Sequence, residues 1–140
     1  MDLDDCYQKG FIKKTRIDNE HSRSLIEMAR SKEIAVQTAI ITETTISAYV
    51  SLAYDSLREV LEVVCISKGY KVTSHICIGE LLRSLDSSFP FSDFDRLRYI
   101  RNGINYYGTK IGLSEGKEII RKTFTLKSKV IETYLSGFLN

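Results

Sequence analysis

An all-α fold is what this sequence predicts: an up-and-down antiparallel bundle of four long helices plus one or two short ones. Apolar residues recur at spacings of three and four over long stretches, no sustained alternating run of β-branched residues appears, and the 140 residues hold a single proline. A chain of this length buries about two thirds of the surface its unfolded form exposes, enough for a core without staples. No internal repeat, low-complexity stretch or linker divides it, so residues 1–140 read as a single domain.

The elements follow in order. Leu3, Tyr7 and Phe11 lie four apart, which predicts a short helix from Asp2 to about Lys14 against the main body. Asp18 or Asn19 can cap a second helix reaching about Ile41, with Leu25, Met28, Ala29 and Val36 on its inner face. From about Glu43 to Lys68, Ile46, Tyr49, Val50, Ala53, Leu57, Val60, Leu61 and Val64 mark the central core helix, and Gly69 stands where a C-terminal cap belongs. Thr73 or Ser74 can cap a fourth helix through Ile76, Ile78, Leu81, Leu82 and Leu85, ended by SSFP and Pro90. Ser92 caps the next, with Asp93 and Asp95 suiting the positive end of its dipole, and Gly108 ends it. The last helix begins after Ser114 and buries Ile120, Phe124, Ile131, Tyr134, Leu135 and Phe138, with Lys117, Arg121, Lys122, Lys127 and Lys129 on its other sides.

Composition narrows the function. Twenty basic residues against eighteen acidic ones leave +2, too little to hold a polyanion by overall field, so contact with nucleic acid requires a local patch. Cys6, Cys65 and Cys77 are odd in number and lack CxxC spacing, which points to a reducing compartment, the cytoplasm, rather than a disulfide framework. The amino terminus, MDLDDCYQKG, has no apolar core of a secretory signal, and no apolar run reaches the length of a membrane span. GxGxxG, Walker-type loops, nucleophile elbows and HExxH are absent, and no cofactor is implied.

The segment Arg98 to Gly108, RYIRNGINYYG, conflicts with its own helix. Asn102, Gly103 and Asn105 together cost about 2 kcal/mol of helix propensity relative to Ala, yet Leu97, Ile100, Ile104 and Tyr107 keep helical spacing toward the core. Conflicts of this kind concentrate at functional or strained positions. Round the opposite side run Arg101, Asn105, Arg98, Asn102 and Tyr106, with Tyr99 nearby. Guanidiniums hold phosphate oxygens, amides donate and accept, and tyrosine stacks on a base, so the face suits a nucleotide or RNA. An ordinary solvated helix face is the plain alternative.

A helical bundle with a late helix reading Arg-Asn and an aromatic or histidine a turn later resembles the HEPN domain, found in prokaryotic toxins and nucleotidyltransferase partners. SLAYDSLREVLEVVCISKGYKVTSH is similar to that family's long central helix, its glycine-aromatic-basic turn and a Ser-His at the next helix start. Active members cleave RNA without a metal, using an Arg followed four to six residues later by a His, usually across a two-fold dimer. Arg101 and Asn102 match the start of that motif, but Tyr106 stands at the four-spaced position and no histidine follows His75. Phenols titrate near 10 and imidazoles near 6.5, so a tyrosine there is the poorer proton shuttle at neutral pH. The resemblance therefore implies a non-catalytic module that binds a nucleotide or RNA through Arg98, Arg101, Asn102, Asn105 and Tyr106. It also implies a homodimer formed through the later helices and a minimal nucleotidyltransferase partner, in a toxin-antitoxin or regulatory setting. The alternatives are a metal-independent endoribonuclease, with Arg101 and Tyr106 catalytic, and a purely structural dimerisation scaffold.

Other candidates have plainer explanations. His75 and Cys77 lack further ligands at metal-binding spacing, and read as a helix-start histidine and a core thiol, with Cys65 a second. His21 reads as solvated. Asp55, Glu59 and Glu62 read as the wet side of the central helix, and Glu118 and Glu132 interrupt the basic residues of the last one.

Overall fold

A computed structural model describes residues 1–137, and the fold is all-α. Six helices, α1 (Leu3–Gln8), α2 (Asn19–Thr38), α3 (Ile46–Ser67), α4 (His75–Leu85), α5 (Phe91–Tyr107) and α6 (Leu113–Tyr134), are joined by short connections. Helix α3 is the hub, packing against α2, α4, α5 and α6. Its Leu57, Val60, Leu61, Val63 and Val64 are fully buried. Phe138 lies outside the described residues.

Helix α1 is shorter than its spacing suggests. Asp2 and Asp5 cap it reciprocally, each carboxylate accepting from the other's backbone N–H at 2.9 and 3.2 Å. Gly10, at φ 74°, then turns the chain out of the helix. Residues Ile12–Lys14 form a strand, β1, paired antiparallel with β2 (Tyr70–Val72) in the register Ile12↔Val72, Lys13↔Lys71, Lys14↔Tyr70. The expected helix to Lys14 is thus replaced by helix, glycine turn and strand. Gly69, at φ 90°, performs the corresponding turn between α3 and β2.

A disulfide joins Cys6 on α1 to Cys77 on α4, with Cα atoms 5.7 Å apart and both residues fully buried. This corrects the expectation of unpaired thiols. The partners are 71 residues apart, and only the packing of α1 on α4 brings them together. Cys65 remains free in the core, where burial pushes its thiol up to about 12.

Other expectations shift by smaller amounts. Asp18 caps α2, accepting from His21 N at 3.0 Å, but α2 ends at Thr38 and Met28 is exposed. Pro90, not Ser92, occupies the cap position of α5, because its carbonyl accepts from Phe94 N. Ser114 falls inside α6, whose cap residue is Gly112. Lys127 does not ride on the outside of α6. It is buried and donates to the Ala29 carbonyl at 3.4 Å and the Glu33 carboxylate at 3.0 Å. Two glycines set close approaches: a Cβ on Gly79 would meet the Phe91 and Phe94 rings at 3.1 and 3.2 Å, and one on Gly116 would meet Ile46 Cγ1 at 2.2 Å.

Candidate functional site

The polar face of α5 divides in two. Arg101 and Asn105 turn toward α3 and Arg98 folds onto Asp95 of its own helix, whereas Tyr99 and Tyr106 point outward, 75% and 69% exposed. Asn102 is half-buried between them. With its amide oriented to satisfy both groups, Asn105 accepts from Arg101 Nε and Nη2 at 3.1 and 3.2 Å and donates to Ser51 Oγ at 3.0 Å. Arg98 holds Asp95 through Nε and Nη2, at 3.0 and 2.9 Å.

Arg101 is the centre of this arrangement. Its guanidinium lies 5.7 Å from the centroids of both the Tyr54 and Tyr106 rings, and Nη1 donates to the Tyr106 hydroxyl at 3.4 Å. Asp55 faces it, with Nη2 to Oδ1 at 3.6 Å, an ion pair too long for a hydrogen bond. Tyr54 is 1% exposed and stacks on Phe94 with centroids 6.1 Å apart. Its hydroxyl lies 3.3 Å from His75 Nδ1, so the first residue of α4 joins the cluster.

The electrostatics follow from that geometry. Burial chiefly, then Arg58, Arg101 and Arg98, press the His75 imidazole down to about 4, because each guanidinium opposes a second positive charge. Burial also raises the Tyr54 phenol well above its ordinary range, against the pull of the same arginines. Near neutral pH, His75 and Tyr54 are therefore both uncharged beside three guanidiniums. Hydrogen bonding is incomplete here: Arg58 Nε and Asp55 Oδ1 are buried with no hydrogen-bond partner among the described residues. Orphaned polar atoms of this sort are uncommon in folded proteins.

Several residues of this cluster escaped the reading of the sequence. Tyr54, Asp55 and Arg58 lie on the helix assigned to the core, and His75 was assigned no more than a helix start. Their signal was present as polar and aromatic residues breaking an apolar helix, but nothing in α3 names the helix that faces them. The supposed wet side of α3 is also not solvated: Asp55 faces Arg101, Glu62 pairs with Arg58, and Glu59 is buried on Lys32. Tyr107, expected on the core stripe, is instead 83% exposed at the last position of α5, just before the Gly108 cap.

Gly103 has a local explanation. Its carbonyl accepts from the N–H groups of both Gly108 and Thr109, closing the helix, and a Cβ on it would meet Thr109 Oγ1 at 3.3 Å. A groove of about 500 Å³ runs between α5 and α6 over Leu97, Ile100, Ile119 and Leu126 and shares no residue with the arginine cluster. We place the candidate site at the cluster, where charge and an unpaired donor, Arg58 Nε, coincide. Among the described residues no group of three metal-ligating side chains is arranged to hold an ion, and no helix is long and apolar enough to cross a membrane. No protein-family model, curated protein or solved structure matches the chain.

Proposed function

We propose that this protein is a HEPN-like binding module that holds a nucleotide or RNA at the junction of α3, α4 and α5. The observation that carries the reading is the gathering of Arg58, Arg98 and Arg101 about Tyr54 and His75, with Tyr99 and Tyr106 exposed alongside. Guanidiniums supply the phosphate contacts and the exposed rings supply stacking surfaces, a pairing that suits single-stranded nucleic acid. A homodimer, and a nucleotidyltransferase partner in a toxin-antitoxin or regulatory setting, belong to the same reading. Arg101→Ala is expected to weaken binding of a fluorescent single-stranded RNA at least tenfold by anisotropy, as loss of a charge-assisted phosphate contact does. Unchanged binding would reduce the cluster to structural ion pairs.

Endonucleolytic cleavage of RNA without a metal is the second reading, favoured by the 3.4 Å approach of Arg101 Nη1 to the Tyr106 hydroxyl. Cleavage in chelator that is lost in both Arg101→Ala and Tyr106→Phe would support it, and intact RNA would remove it.

A further inference from the structure

We propose that Arg58, Arg98, Arg101 and His75 form one seat for a nucleic-acid phosphodiester, in which His75 hydrogen-bonds the phosphate as an imidazolium. This rests on the RNA-binding reading above and adds to it a proton taken up with the ligand. Three helices build the seat. Tyr54 on α3 engages His75 Nδ1 at 3.3 Å, which leaves Nε2 as the uncommitted ring nitrogen. Arg101 lies against the Tyr54 ring at 5.7 Å, Arg98 stands one turn before it on α5, and Arg58 one turn after Tyr54 on α3. One donor remains to be used: Arg58 Nε has no partner among the described residues, whereas Arg101 already donates to Asn105 and Tyr106, bonds that a phosphodiester would replace in part.

The groups facing His75 determine its charge. From α3 come Tyr54, Asp55 and Arg58, the last paired with Glu62, and from α5 come Arg98, paired with Asp95, and Arg101. α1 and β2 also pack on α4, but only the three arginines act electrostatically on the ring. In the free protein, burial and those arginines keep it neutral. A phosphodiester among the guanidiniums offsets their repulsion and adds an acceptor, and both effects favour the charged ring. The Tyr54 hydroxyl can donate to the neutral ring and accept from the charged one, so the core need not rearrange.

A uridine decamer without terminal phosphates tests this, since nothing on that probe titrates in weak acid. If the ring rises from about 4 to its ordinary 6.5 on binding, affinity increases about tenfold between about pH 7.5 and about pH 5.5. His75→Gln should bind with no such slope, while His21→Gln should retain it. The His75 ring resonances of the wild-type protein give a second readout that needs no variant, titrating near 4 when free and near 6.5 when saturated. Binding that is flat with pH, a slope that survives in His75→Gln, or a ring that titrates alike free and bound would each overturn the proton coupling and leave RNA binding standing. Absence of binding at both pH values would instead remove the underlying reading, and the coupling with it.

Discussion

Tyr54 belongs to the core and to the candidate site at once. Its ring is buried against Phe94, while its hydroxyl reaches His75. The cost of keeping that histidine neutral should appear in the stability of the free protein. The folded ring is depressed to about 4 from 6.5, so between those values the unfolded chain binds the proton and the folded chain does not. Stability from this source is therefore complete above 6.5 and declines as the pH falls toward 4. Because the ring is partly exposed, solvent screening reduces the loss to about 1–2 kcal/mol. His75→Gln, which keeps a partner for Tyr54, is expected to lack this component of acid sensitivity when urea unfolding is compared at neutral pH and near pH 4.5.

Among the elements, α3 decides what the others can do. The first turn of α6 crosses its start so closely that Gly116 admits no side chain against Ile46. Gly116→Ala is accordingly expected to destabilise the fold by about 2–3 kcal/mol in denaturant titration, overpacking outweighing the gain in helix propensity. The same dominance of α3 explains what was legible beforehand. Helical spacing in a single segment revealed α3 and the inward positions Leu97 and Ile100, and it marked α5 as the helix whose Tyr99 and Tyr106 face outward. It could not reveal β1, whose partner lies beyond two long helices, nor the neighbours of Arg101, which depend on how α5 is set against α3 and α4. The asparagines and glycine that appeared to be one anomaly have separate causes. Gly103 lets the chain close the helix, Asn105 bridges Arg101 and Ser51, and Asn102 alone retains no local explanation.

Over the whole molecule, neighbouring helices gather round one buried cluster, and charge is distributed in small clusters rather than as a field. Binding of RNA at the proposed site should therefore depend only weakly on salt, through the one seated phosphate. A slope of about −0.7 in the logarithm of affinity against the logarithm of salt is expected for one phosphate neutralised on a single strand, measured over moderate salt concentrations. The disulfide has a further consequence. By joining residues 71 apart, it makes a covalent ring of α1, both strands, α2, α3 and the start of α4. The connection from α2 to α3 lies inside that ring and carries Ile40, 91% exposed. A protease that cuts there would open the ring without separating the chain, so the nicked protein should run as one band until a reductant divides it in two.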